Sequence, residues 1–213
     1  MLLCLKSTSR TVHHYNHEQQ NKINEAACTS LTVWRKSLVF SCSGFTVVAS
    51  DGSLAYRVDN YTGRPDQIVL MDGSGNPIFT ICRPKKLRLV HNCWHVYEGE
   101  VVGKKYSSKN PVFRARKNMG IMTKLNVLAY VDCGVSDYMH RYIVEGSYRR
   151  RSCKILDESR RVVGEIKKKG GGGVCYGVEV FELVVREGLE CRDAMAVVIL
   201  LDQMFSSSSF LFK

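Results

Sequence analysis

Arginine and lysine are the chemically able residues that stand out in this chain, and they come in runs. These are Arg83-Pro84-Lys85-Lys86 with Arg88, Lys104-Lys105, Arg114-Ala115-Arg116-Lys117, Arg149-Arg150-Arg151 and Lys167-Lys168-Lys169. A guanidinium offers a planar fork that matches a phosphate bidentately, and an ammonium adds a point charge. In a strand, Arg114 and Arg116 share one face while Phe113 and Ala115 take the other. Arg83, Lys85, Lys86, Arg88, Arg114, Arg116, Lys117, Arg149, Arg150 and Arg151 are therefore candidate anion-binding residues, although any single cluster also reads as ordinary solvated charge. The runs belong to a wider asymmetry. Residues 83–124 carry a net +9 and residues 141–169 a net +6, while the remainder is −4 against +11 for the whole chain. Segregated positive charge points to an anionic partner, either an acidic membrane surface or nucleic acid.

Other chemistries find less support. His91, Cys93 and His95 alternate along a strand-like run, with Trp94 and Val96 on the other face. Residues at i and i+2 stand about 7 Å apart, so three in succession do not converge on a metal at ~2 Å, and no metal site is expected. No G-x-S-x-G, P-loop or G-x-G-x-x-G occurs, and no enzyme activity or cofactor is expected. Asp51, Asp59, Asp72, Asp132 and Asp137 read as turn or strand-end carboxylates. Gly170–Gly173, after three lysines, reads as a flexible hairpin loop. Nine cysteines, an odd number without a C-x-x-C pair, argue for reduced thiols and an intracellular setting. The apolar start Met1–Leu5 is too short for a signal-peptide core.

The elements that must position these residues are short β-type runs. They begin at Leu31 after a polar 30-residue tail and are separated by turn chemistry such as Ser50-Asp51-Gly52-Ser53 and Asp72-Gly73-Ser74-Gly75-Asn76. The runs are 31–40, 45–49, 54–59, 67–71, 77–83, 87–98, 111–116, 125–131, 141–146, 152–156, 162–168 and 176–185. About twelve strands in succession must close a barrel or form a sandwich to dispose of their edges. The end of the chain discriminates between the two. Residues 194–201 are apolar on every side of a helix running over about 190–204, with Asp193 as N-cap or first-turn acid. Eight residues rise only ~12 Å, against roughly 30 Å of bilayer core, so the helix is not a transmembrane span. It needs burial all round, which a wide barrel supplies and two sheets ~10 Å apart do not. The expectation is an all-β fold: a closed antiparallel barrel around a buried helix whose core residues include Ala194, Val197, Val198 and Leu201.

Several runs look like the LURP-one-related proteins of plants: residues 31–38 (LTVWRKSL), 57–61 (RVDNY), 68–72 (IVLMD), 94–99 (WHVYEG), and the terminal Asp193-Ala194-Met195 with Leu200-Leu201-Asp202-Gln203-Met204. The resemblance covers residues 31–205, flanked by tails 1–30 and 206–213. That family is similar to the tubby C-terminal domain and the phospholipid scramblases, which implies a twelve-stranded barrel with a hydrophobic helix through its middle. It also implies links to membrane tethering, transcription and plant defence. The phosphoinositide-binding residues of the tubby domain have no local motif here onto which they transfer. Together these readings give an expected non-enzymatic, monomeric module that binds anionic phospholipid (phosphoinositide) head groups. It is placed in cytoplasm or nucleus or peripherally at the plasma membrane, with nucleic acid or an acidic protein as the alternative partner.

Overall fold

The computed structural model describes residues 28–40, 42–59, 67–84, 93–101, 110–119, 126–134, 140–171 and 174–206. Twelve strands form one closed barrel: β1 (Thr29–Trp34), β2 (Gly44–Ala49), β3 (Leu54–Asp59), β4 (Gln67–Asp72), β5 (Pro77–Cys82), β6 (Cys93–Glu98), β7 (Phe113–Lys117), β8 (Val127–Cys133), β9 (His140–Ser147), β10 (Ser152–Leu156), β11 (Val162–Lys168) and β14 (Val180–Val185). Each pairs antiparallel with its neighbour in the chain, and the last closes on the first through Thr29↔Val185 to Trp34↔Val180. A two-stranded ribbon, β12 (Gly170–Gly171) with β13 (Val174–Cys175), interrupts the meander between β11 and β14. Closure leaves the barrel without an edge strand.

Alternation within each strand decides what faces inward. In β1, Leu31 and Val33 are buried while Trp34 is exposed; in β7, Phe113 and Ala115 are buried while Arg114 and Arg116 face out. These inward side chains form one core with α1 (Cys191–Phe205), whose residues Ala194–Leu201 are at most 3% exposed, including Ala194, Val197, Val198 and Leu201. The run Val197-Val198-Ile199 is β-branched and a mediocre helix former, so packing holds the helix, not propensity. Each such side chain, fully buried, contributes about 1.5–3 kcal/mol. Glu190 is the N-cap, without a side-chain capping bond, and Asp193 lies in the first turn.

Two connections show the turn chemistry at work. Gly52 has φ 87°, which a side chain disfavours, and Asp51 accepts hydrogen bonds from the Ser53 amide and hydroxyl. Gly44 lies so close to the Val58 carbonyl that a Cβ there has no room.

Strand ends differ from the sequence expectation where local bonds break the extended chain. β1 stops at Trp34, not Phe40, because the Lys36 amide turns back to the Trp34 carbonyl and the Ser37 hydroxyl bonds Asp59. β14 starts at Val180, not Tyr176, because the Val180 amide bonds the Gly177 carbonyl in a turn. The run expected from 87 begins at Cys93 among the described residues, and Gly170 and Gly171 pair as ribbon. Trp94 sits in the core with Cys93 and His95 half-buried outside it, while His91 lies outside the described residues.

Candidate anion-binding site

In an antiparallel meander, every connection that follows an odd-numbered strand falls at one end of the barrel. The connections after β1, β3, β5, β7, β9 and β11 therefore share a rim, and α1 brings its C-terminus there, since Lys117 Nζ donates to the Met204 carbonyl at 2.9 Å. That rim collects Arg35, Lys36, Arg83, Lys117, Arg149, Arg150 and the Lys167–Lys169 run. Its acids among the described residues are engaged: Asp59 pairs with Arg57, and Glu179 and Asp202 pair with Arg35. Arg150 and Lys168 are exposed and have no hydrogen-bond or ion-pair partner among the described residues.

Among the described residues, the opposite mouth is electrically different. It holds Asp51, Asp72, Glu98, Asp157 and Glu190, and its arginines are paired: Arg160 with Glu145, Arg161 with Asp157, Arg186 with Glu165, and Arg192 with Glu98 and Glu190. The helix dipole runs in the same sense, its positive N-terminus among acids and its negative C-terminus among bases. Lys117 sits 4.5 Å over the Phe205 ring, and Arg149 Nε donates to the Phe205 carbonyl at 3.2 Å, so rim cations satisfy the last helical carbonyls.

The candidate residues fall into four groups. Arg83, Lys117, Arg149 and Arg150 lie at the basic mouth, Arg83 over the Trp94 ring at 4.8 Å. Arg114 and Arg116 stand on the outer wall, where Arg116 and Arg141 share the Asp132 carboxylate at 3.3 and 2.8 Å. Arg114 is registered against His95 and Asp132. Arg151 is 5% exposed and is not a surface cation. Its Nε donates to the Val178 carbonyl at 2.8 Å and its guanidinium stacks on Tyr148 and Phe181 at 4.3 and 4.1 Å. Lys85, Lys86 and Arg88, like Lys104 and Lys105, lie outside the described residues.

A buried polar network at this mouth went unread in the sequence. Asp202 accepts hydrogen bonds from Arg35 Nε at 2.8 Å, the Tyr148 hydroxyl at 3.1 Å and the Ser206 hydroxyl at 2.7 Å. Burial pulls the Arg35 pKa down, but Asp202 outweighs it and leaves the guanidinium above its ordinary value. Burial, reinforced by Asp202, drives the Tyr148 phenol far up. A cavity of about 200 Å³ opens beside the network, lined by Arg35, Lys36, Ser43, Gly44, Glu179 and Asp202 among others. The one signal was Asp202 itself, a carboxylate closing an all-apolar helical run, whose partners come from strand ends far away in sequence.

Three of the described thiols are held in the protonated form. Burial raises the Cys93 and Cys153 thiols, and Cys133 is pushed up to about 12 by burial and by Asp193 and Asp132, so all three stay protonated near neutral pH. Among the described residues, no helix is long and apolar enough to cross a membrane. Among the described residues, the arrangement gathers exposed cations on one rim.

Comparison with known proteins gives a consistent picture. The sequence model of a family described as LURP-one-related matches residues 29–202. In Arabidopsis thaliana, Protein LURP-one-related 17 is 44% identical over 95% of this chain and 98% of its own length, and Protein LURP-one-related 8 is 47% identical over 89% and 94%. The X-ray structure of a protein from Arabidopsis thaliana superposes with a TM-score of 0.57 at 21% identity, covering 83% of this chain and 90% of that one, a likeness of fold.

Proposed function

The chain belongs to the LURP-one-related family, and from that membership and its two unlike mouths we propose a non-enzymatic module that docks its basic mouth on anionic membrane lipid, phosphoinositide head groups above all. The observation that carries this reading is the charge of one rim: Arg150 and Lys168 are exposed and have no hydrogen-bond or ion-pair partner among the described residues, whereas the arginines of the opposite mouth are paired. Its biological setting in this reading is that of a monomeric, peripheral tether or regulator in plant stress or defence signalling. Nucleic acid fits less well, because α1, the one helix among the described residues, is buried and gives no recognition helix for a groove.

Basic residues near an anionic leaflet contribute about 1 kcal/mol each. Arg150→Gln with Lys168→Gln is therefore expected to weaken binding to phosphoinositide vesicles roughly 30-fold. Arg161→Gln with Lys154→Gln, which removes the same charge from the opposite mouth and the wall, is expected to change it less than about 3-fold. Vesicle co-sedimentation reads both. Equal loss in the two double variants, equal binding to neutral vesicles, or tighter binding to a duplex oligonucleotide at matched salt overturns the proposal.

A further inference from the structure

Among the described residues, the large apolar side chains left exposed are Trp34 (42%), Leu38 (53%), Phe40 (96%), Met119 (65%), Tyr176 (44%) and Val178 (54%). They come from three separate stretches of chain, the β1–β2 connection with the end of β1, the segment after β7, and the approach to β14, and all three lie at the basic mouth. Exposed apolar residues are ordinarily scattered singly over a surface. Here they share one rim with the unpaired cations. Lys36 Nζ sits 5.3 Å from the Trp34 ring centre, and Arg151 holds the Val178 carbonyl. Residues 35–39 of the β1–β2 connection are anchored: the Arg35 amide bonds the Glu179 carbonyl at 2.8 Å, the Val39 amide bonds the Ser37 hydroxyl at 2.9 Å, and that hydroxyl bonds Asp59.

From this coincidence we infer that the basic mouth penetrates the bilayer: Leu38, Phe40 and Val178 enter the acyl boundary of an anionic leaflet while Lys36, Arg150 and Lys168 remain at phosphate level. The inference rests on the membrane reading above and adds a hydrophobic component to it. A bilayer suits this surface better than a protein does. A side chain 96% exposed projects instead of lining a groove, and lipid accepts projecting apolar groups ringed by cations without a matching pocket. A second copy facing the same way brings like charges together.

The test combines a depth reporter with a salt series. Phe40→Trp in a Trp34→Phe background places an indole at the tip, with buried Trp94 as constant background. With phosphatidylserine vesicles carrying dibrominated acyl chains, its emission is expected to shift blue and be quenched. Leu38→Ser with Phe40→Ser is expected to bind roughly 10- to 100-fold more weakly at low salt. It is also expected to release at about 0.5 M salt, where screening is nearly complete and the unsubstituted protein stays bound. If the unsubstituted protein fails to bind anionic vesicles at any salt, both the membrane reading and the penetration fall. If it binds, but the reporter is unquenched and the serine variant matches it throughout, penetration alone is overturned and electrostatic docking stands. Ultracentrifugation without lipid supplies the remaining outcome: a dimer that the serine substitutions dissociate makes this face a self-contact and overturns the inference.

Discussion

Two carboxylates bracket α1 and live in opposite circumstances. Asp202 has three side-chain donors, whereas one oxygen of Asp193 is buried without a hydrogen-bond partner. Burial, with Glu190 and Glu98 nearby, outweighs Arg192 and raises the Asp193 pKa from 3.8 to about 6. The folded protein thus holds a proton there that the unfolded chain releases near 3.8, so ionisation costs stability as pH rises from about 4 to 6, and the full cost applies above. With its side chain 20% exposed, the cost is about 1–2 kcal/mol after discounting for solvent. Asp193→Asn is expected to raise the melting temperature at pH 8 by roughly 3–6 °C and to leave it unchanged at pH 4. A rise of the same size at both pH values contradicts the assignment. At this scale the sequence was readable where chemistry is local. Asp51 and Asp72 are the turn carboxylates their neighbours imply, each with a lowered pKa from bonds within its own turn. Arg151 was not readable, because nothing in an Arg-Arg-Arg run says which member folds inward onto Tyr148 and Phe181.

Among the elements, α1 was the most legible and the most consequential. Eight apolar residues on all sides of a helix have no solvent-facing solution, and in the barrel Ala194–Leu201 have none. Val198→Asp puts a carboxylate at a site of 0% exposure, costing several kcal/mol from a total of ~5–15. That variant, and truncation after Leu189, are expected to lose the cooperative thermal melt. A native-like melt in either contradicts the helix as core. Strand interiors were legible through alternation, as in β7, where Arg114 and Arg116 face out between buried Phe113 and Ala115. Strand ends were not, because β1 is stopped at Trp34 by a backbone turn and by a Ser37–Asp59 bond to the end of β3.

Over the whole molecule, Arg83, Lys117, Arg149, Arg150 and Lys168 lie far apart in sequence, yet each sits at the end of, or just after, an odd-numbered strand: β5, β7, β9 or β11. An up-and-down barrel returns such connections to one rim, so their convergence is a matter of strand parity. Composition alone does not reveal this, and a strand count wrong by one reverses it. Parity also separates the wall arginines from the mouth: Arg114 and Arg116 lie within β7 and point sideways, not endwise. The most direct test of the account is amide hydrogen exchange of the intact protein with and without phosphoinositide vesicles. Docking by the basic mouth predicts new protection in residues 35–43, 148–151 and 176–179, with exchange unchanged in the opposite turns 50–53, 73–76 and 157–161. Protection that appears at the opposite turns, or a vesicle-bound protein with no protection at the basic mouth, contradicts it.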